Sequence, residues 1–254
     1  MAFAYAFLYG PIVSLIVYSF NESKLVSVWG GFSTKWYGEL LRNEALLAAA
    51  WQSLLVAALS ATVAVLLGTL AAVALVRFGR FLGRSLFQGM LTAPLVMPDV
   101  LLGLSMLLLF VSLERNVGWP DGRGLLTISI AHISFAVAYV VIVVQSRLRQ
   151  ADRSIEEAAL DLGARPVRVF FVITLPMIAP ALLVGWLLAF TLSLDDLVIA
   201  SFTSGPGSTT LPMVVFSSAR LGVSPQINAL ATILVGAVAL TILIVAQVMG
   251  RRRT

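Results

Sequence analysis

The 254-residue sequence contains no cysteine and a single histidine, His132. Disulfide frameworks, thiolate nucleophiles and cysteine-ligated metals are therefore excluded. One histidine cannot form a multi-histidine metal site or an HExxH helix, so we expect no metal centre. Charge is also scarce, because only 11% of the residues are charged, against roughly 25% in an average soluble domain. A soluble protein of this size would lack the polar residues to cover its surface.

Long apolar runs take the place of the missing charges, and 59% of the residues are hydrophobic. Each run approaches the roughly 20 residues that a helix needs to cross a bilayer. We therefore predict an all-α integral membrane protein with a single membrane domain over residues 1–254. The first run is interpreted as a retained helix, because it lacks the small-residue cleavage site of a signal peptide. The six predicted spans are 2–20, 47–76, 86–112, 125–145, 177–203 and 228–249.

Basic residues are concentrated on one side of these predicted spans. Eleven of the 17 lysines and arginines lie in the segments 77–85, 146–176 and 250–254. Because cytoplasmic loops carry an excess of lysine and arginine, we expect this side to be cytoplasmic. An even number of spans places both termini there. The net charge of +5 is then a topology signal, and we expect no binding to nucleic acid.

The longest arginine-rich segment, 146–176, contains a short helix signal. Ser154 and Glu157 have the spacing of a capping box, which predicts Ser154 as the N-cap residue. Glu156 and Glu157 also suit the positive N-terminus of a helix. Gly163 can adopt the left-handed conformation that follows a helix end. These residues predict a helix over about 154–163.

One face of this predicted helix is apolar, with residues at the i, i+3, i+4 and i+7 positions. A helix of about two turns is unstable alone and needs a surface for its apolar face. That surface is either the lipid interface or a partner protein, and the helical pattern alone favours neither. The apolar face consists of Ile155, Ala158, Ala159 and Leu162.

The residues of this segment resemble the EAA motif of ABC importer permeases. Glu157-Ala158-Ala159 is followed after three residues by Gly163, and after nine more by Ile173-Thr174-Leu175-Pro176. The resemblance implies the MetI-like fold of type I importers, in which this helix docks on an ATPase subunit as the coupling helix. The residues that it implies for ATPase coupling are Ile155, Glu157, Ala158, Ala159, Leu162 and Gly163.

The same resemblance implies a set of partners in the cytoplasmic membrane of a bacterium. These are a second permease subunit, two ABC ATPase subunits and an extracytoplasmic binding protein, which would deliver substrate to the loops 21–46 and 204–227. No G-x-x-x-x-G-K-[ST] motif occurs in the chain, so the nucleotide site must lie elsewhere. We expect no catalysis and no cofactor in this chain, with ATP and Mg²⁺ used by the ATPase subunits.

Asp99 is the first of three acids inside predicted spans, where ionisable groups are costly and are functional candidates. It follows Pro94 and Pro98, which disturb a helix and free backbone carbonyls. Carbonyls beside a carboxylate suit an ammonium group. The alternative is a proline-kinked helix in which Asp99 caps the following segment.

Asp195 and Asp196 lie in the outer third of the fifth predicted span. Two adjacent carboxylates repel each other in a medium of low dielectric unless a cation is near. We predict a place on the substrate path for at least one of them. The alternative is a pair of acids that are solvated at the outer helix end or paired with Arg220.

Trp186 and Phe190 lie one helical turn apart on the same span, and they are predicted to form an apolar wall with cation–π capacity. The alternative is ordinary helix packing. His132 and Tyr139 are weaker candidates.

Three sequence segments resemble the polyamine branch of these permeases, most closely the putrescine type. They are Ala189–Leu197, Pro94–Asp99 and Asn228–Thr232. The resemblance implies a permease subunit for putrescine or spermidine, with Asp99, Asp195 and Asp196 along the substrate path. Trp186 and Phe190 join this predicted path as its apolar wall. An ion-coupled secondary transporter for organic cations is the alternative, but that class does not explain the EAA pattern and is built from internal repeats, which this sequence lacks.

Overall fold

The computed structural model describes residues 2–25, 28–221 and 225–236, and this part of the chain is mostly helical. The all-α prediction is therefore confirmed. A 3₁₀ turn, Ala93–Leu95, follows the fourth helix, and a π-helical turn, Phe170–Thr174, follows the eighth. The helices are α1 Ala2–Ser19, α2 Lys35–Arg42, α3 Glu44–Arg77, α4 Arg84–Thr92, α5 Asp99–Val117, α6 Leu125–Gln150, α7 Arg153–Asp161, α8 Pro166–Val169, α9 Leu175–Asp195, α10 Val198–Thr203, α11 Leu211–Leu221 and α12 Pro225–Gly236.

Four helical stretches within the described residues are long and apolar enough to cross a membrane. They are Glu44–Arg77, Asp99–Val117, Leu125–Gln150 and Pro166–Asp195. The first and last predicted spans correspond to shorter apolar helices, Tyr5–Ser19 and Pro225–Gly236. The last predicted span, 228–249, extends beyond the described residues. Six spans therefore stay a prediction, and four of them correspond to helices that are long and apolar enough to cross a membrane within the described residues.

The third and fifth predicted spans are not continuous helices. In the third span, α4 ends in the 3₁₀ turn and α5 starts only at Asp99, after Pro98 in an extended conformation. A proline has no N–H to continue the ladder and disfavours helical geometry in the residue before it. The fifth span starts at Pro166, earlier than predicted, and α9 ends at Asp195 before the separate helix α10. Two helices, α2 and α11, lie in segments that were predicted as loops.

Two compact units make up the chain, residues 1–48 with 214–254 and residues 49–213. In the first unit, Asn21 organises the loop after α1. Its amide nitrogen donates to the carbonyl of Val28 at 2.7 Å, and its amide oxygen accepts from the N–H of Gly30 at 2.8 Å. The indole N–H of Trp36 donates to the carbonyl of Asn21. The single-domain prediction stays untested by these contacts.

The second unit is built on a core shared by α3, α6 and α9. Small side chains on α3 allow a close approach to α6, as is usual between membrane helices. Gly68 is the tightest of these positions, because a Cβ built there lies 2.7 Å from Cγ1 of Val140 on α6. The core consists of Ala61, Ala64, Ala72, Ala136, Val140, Val144, Leu148, Ile178 and Ala189.

We expect Gly68→Ala to destabilise the protein, because the new methyl group overlaps a β-branched side chain that cannot rotate away. Overpacking of this kind costs about 1–3 kcal/mol in the free energy of unfolding. Gly89→Ala on α4 is the matched control, since a Cβ there meets no atom within 4 Å. Thermal unfolding of both variants in detergent checks the prediction, and equal melting temperatures would contradict it.

Candidate functional site

The interruption between α9 and α10 creates a polar region within an apolar part of the chain. α9 ends at Asp195, and Asp196 is extended, with φ −67° and ψ 124°. The carboxylate of Asp196 accepts from the backbone N–H of Ala200 at 2.7 Å and of Ile199 at 3.3 Å. These two N–H groups belong to the first turn of α10 and have no partner within that helix. Asp196 therefore caps α10 with its side chain.

A cavity of about 310 Å³ opens beside this interruption. It brings together the three acids singled out in the sequence, Asp99, Asp195 and Asp196. Asp99 reaches the cavity as the first residue of α5, directly after the proline interruption. The other lining residues are aromatic or apolar: Phe135, Tyr139, Pro94, Leu102, Leu192, Leu197, Val198 and Ile199. The role of the acids in substrate passage stays a prediction, but their convergence is a fact of the fold.

His132 lies behind Asp196 and is 1% exposed. Its Nε2 is 3.1 Å from Oδ2 of Asp196, and its Nδ1 is 2.6 Å from the hydroxyl of Ser193. Because an ionised carboxylate can only accept, Nε2 of His132 donates to Asp196, and Nδ1 shares a hydrogen bond with the Ser193 hydroxyl. Asp196 is thus held by His132 as well as by α10.

The acids of the cavity therefore differ in how their charge is satisfied. Asp196 accepts three hydrogen bonds from the protein and its side chain is 9% exposed, whereas Asp99 and Asp195 are exposed residues. Arg220 is the cation that the sequence offered as a partner for Asp195 and Asp196. Its guanidinium lies 4.5 Å from the centre of the Phe216 ring. Asp99 and Asp195 are thus the carboxylates of the cavity that are open to a ligand.

Trp186 and Phe190 do not line this cavity. Their rings are stacked with centroids 5.1 Å apart, and both pack against the core of α3, α6 and α9. The indole N–H of Trp186 donates to the hydroxyl of Thr62 on α3 at 3.1 Å. The pair therefore lies outside the cavity that the three acids share, and its place on the substrate path stays a prediction. Tyr139 and Phe135 on α6 line that cavity instead.

The predicted coupling helix is present as α7, Arg153–Asp161, but its N-cap is Asp152 and not Ser154. The carboxylate of Asp152 accepts from the backbone N–H of Ser154 at 2.9 Å. This bond, with a second one from the Ser154 hydroxyl, holds the pKa of Asp152 below its ordinary value. Glu157 makes no capping box and pairs with Arg153 at 2.9 Å on the exposed face. Asp152 replaces Ser154 because a carboxylate also interacts favourably with the helix dipole.

The C-terminus of α7 follows the prediction. Gly163 has a φ of +83°, the left-handed conformation that favours glycine. Its N–H donates to the carbonyl of Leu160 at 2.9 Å, and the N–H of Ala164 donates to the carbonyl of Ala159 at 3.0 Å. This pair of bonds is a Schellman motif, which stops the helix and turns the chain toward Pro166.

The apolar face of α7 is open to solvent in this chain. Ile155 is 49% exposed and Leu162 is 89% exposed, and Ala158 is exposed as well. Glu156, which lies off this face, is buried, and it contacts Arg77 of α3 and Thr174 of the π turn. The sequence pattern placed Glu156 off the apolar face but gave no sign that it would be buried.

The comparisons with known proteins agree with this architecture. Residues 64–252 match the family described as binding-protein-dependent transport system inner membrane component. The chain is 64% identical to the putrescine transport system permease protein PotI of Escherichia coli (strain K12), over 97% of this chain and 88% of that one. It is 44% identical to the spermidine/putrescine transport system permease protein PotC of the same strain, over 100% of this chain and 93% of that one.

Solved structures share the fold at low sequence identity. A chain of a bacterial ABC transporter that imports alginate has a TM-score of 0.73 at 18% identity, covering 98% of this chain and 92% of that one. A chain of the MetNI methionine ABC transporter, in inward-facing conformations, has a TM-score of 0.63 at 16% identity, covering 82% and 96%. These similarities support the type I importer fold predicted from the EAA motif.

We expect Asp196→Ala to lower the stability of the protein far more than Asp195→Ala. The first change leaves His132 and two N–H groups of α10 without their acceptor, which costs about 1–3 kcal/mol for each buried group left unpaired. The second change removes an exposed carboxylate. Thermal unfolding in detergent measures both, and an equal loss in the two variants would contradict the assignment of Asp196 as a structural acid.

Proposed function

The chain belongs to the family of binding-protein-dependent transport system inner membrane components, and we propose that it is the permease subunit of an ATP-driven importer for putrescine or spermidine. The names of its two relatives support this substrate class. The cavity with three converging acids is the observation that carries the proposal. Acids within membrane spans are costly, and a cationic substrate would compensate their charge.

A polyamine matches the chemistry of this cavity. Putrescine has two ammonium groups joined by an apolar linker, and each ammonium group needs an acceptor when it leaves water. Asp99 and Asp195 supply two open carboxylates, while Phe135 and Tyr139 offer ring faces to the cation or its linker. Asp196 contributes indirectly, because its bonds to α10 and His132 hold the shape of the cavity wall.

The distribution of basic residues supports a cytoplasmic location for α7. The segments 77–85 and 146–176 carry eight arginines, and such an excess indicates the cytoplasmic side. Both termini of this chain would then be cytoplasmic. The loops 21–46 and 204–227 would face outward, where an extracytoplasmic binding protein delivers the substrate. A relative of this fold, the alginate transporter, was solved in complex with its periplasmic protein.

The energy for transport would come from partner subunits. We propose that a second permease subunit completes the pathway and that two ABC ATPases bind the cytoplasmic face. The exposed apolar residues of α7 suit insertion into a groove of an ATPase, since helix-in-groove docking uses such a face. ATP-driven closure of the ATPases would displace α7 and rock the permeases between inward-facing and outward-facing states. This chain would bind no cofactor itself, and Mg²⁺ and ATP would be used by the ATPases.

The acidic cavity is tested by uptake of labelled putrescine and spermidine into proteoliposomes that contain the complete complex. Asp99→Asn and Asp195→Asn should each reduce uptake by about ten- to hundredfold, since a lost charge-assisted contact is worth about 1.5–3 kcal/mol. Asp121→Asn, an exposed acid in the loop after α5, is the control and should transport normally. Normal uptake by both single variants and by the double variant would contradict the role of these acids.

The coupling role of α7 is tested by Gly163→Asp. An aspartate is strained at a φ of +83° and places a charge beside the docking face. We expect the variant to remain in the membrane while uptake and substrate-stimulated ATP hydrolysis are lost. Gly79→Asp is the control, because Gly79 also has a positive φ, +66°, but lies outside α7. Full transport by Gly163→Asp, or an equal loss in Gly79→Asp, would contradict the assignment.

A further inference from the structure

Glu156 is a buried carboxylate that the proposed function does not use. It is 8% exposed and lies on α7. Nη2 of Arg77 donates to its Oε1 at 3.0 Å, and Nε of Arg77 is 2.9 Å from its Oε2, close enough for an ion pair but poorly aligned for a hydrogen bond. The hydroxyl of Thr174 donates to Oε1 at 2.9 Å. One carboxylate therefore receives contacts from two other elements.

Each of these two elements belongs to a long membrane span. Arg77 is the last residue of α3, a span of 34 residues. Thr174 is the last residue of the π turn inside the stretch Pro166–Asp195. Glu156 thus connects the coupling helix to the ends of two spans that also share the core with α6.

The neighbouring acid Glu157 has a different position. It pairs with Arg153 of the same helix, and both side chains are more than half exposed. An exposed pair within one helix contributes little and cannot transmit a displacement to another element. The two acids therefore differ in their contacts: Glu156 contacts two spans, whereas Glu157 pairs with a residue of its own helix.

A π turn interrupts the regular helix of the fifth span at its contact with Glu156. Such turns are local distortions of a helix that often occur at functional positions. This one precedes Pro176, which has no N–H to restore the regular ladder. Thr174 ends the π turn, so a bond to its hydroxyl holds this distortion against α7.

We propose that Glu156 is the positioning residue that transmits movement of α7 to α3 and to the fifth span. This inference rests on the proposed function of the chain as an ATP-driven permease. A buried ion pair requires one geometry for both partners, so α7 and the two spans move as one unit while it is intact. Without it, α7 loses its side-chain bonds to both spans, and the ATPases can cycle without moving the spans.

The first test measures ATP hydrolysis and polyamine uptake on the same proteoliposomes. Glu156→Gln and Arg77→Gln should each raise the ATP consumed per molecule transported by about tenfold, within the usual range of coupling between sites. Thr174→Val should have a smaller effect in the same direction. The exchanged pair, Glu156→Arg with Arg77→Glu, should restore much of the ratio. Arg149→Gln is the control, because that guanidinium contacts Gln145 of its own helix on an exposed face.

Two results would overturn the inference. An unchanged ratio in Glu156→Gln shows that the carboxylate transmits nothing. Proportional loss of hydrolysis and uptake shows that it only supports folding or docking, and the amount of assembled complex separates that case from poor expression. If Glu156→Gln fails to assemble, Thr174→Val decides between these outcomes by the same ratio.

A second test needs no substrate and so separates this inference from the proposed function. The chain has no cysteine, so spin labels at Asp161→Cys on α7 and Leu66→Cys on α3 report one distance in complexes with cysteine-free partners. With Glu156 intact, ATP should leave this distance unchanged, and with Glu156→Gln it should shift or broaden the distribution. An equal response in both backgrounds would overturn the inference. Absence of polyamine uptake in the parent complex would contradict the proposed substrate alone.

Discussion

In a bilayer every backbone N–H and carbonyl must find a partner within the protein, and the candidate site of this chain lies where two spans are interrupted and that requirement is hardest to meet. The third span is interrupted at Pro94 and Pro98, and the fifth is interrupted after Asp195. At the second interruption the carboxylate of Asp196 replaces the missing backbone acceptors for α10. Because the two interruptions are neighbours, the polar groups that they require share one cavity.

That arrangement gives adjacent acids different tasks. His132 and two N–H groups hold Asp196, so its charge is compensated by fixed donors. Asp195, the preceding residue, is the last of α9 and faces the cavity without such donors. The same division appears on α7, where Glu156 is buried against two spans and Glu157 is exposed. In both pairs one acid is held by contacts within the protein and the other is exposed.

The sequence predicts the long helices and α7 well, because each depends on local periodicity and on residues such as Gly163 whose conformation is set by sterics. It also predicts that three acids are functional candidates, because an acid within a long apolar run can be recognised from the sequence without knowing its contacts. It does not predict the contacts of His132 or Glu156, since those depend on which distant side chain packs opposite. The error at Ser154 has a local cause, because Asp152 is an equally suitable cap two residues earlier.

Trp186 and Phe190 show the limit of the same approach. Their spacing fits a binding wall as well as a packing pair, and it does not show which side chains of other helices they contact.

The central claim is that ATP drives a cationic substrate through the acidic cavity. Its most direct test is putrescine accumulation by sealed proteoliposomes with ATP on the ATPase side, before and after ion gradients are collapsed. The account predicts that accumulation requires ATP and survives the collapse, whereas accumulation without ATP that follows an ion gradient would contradict it.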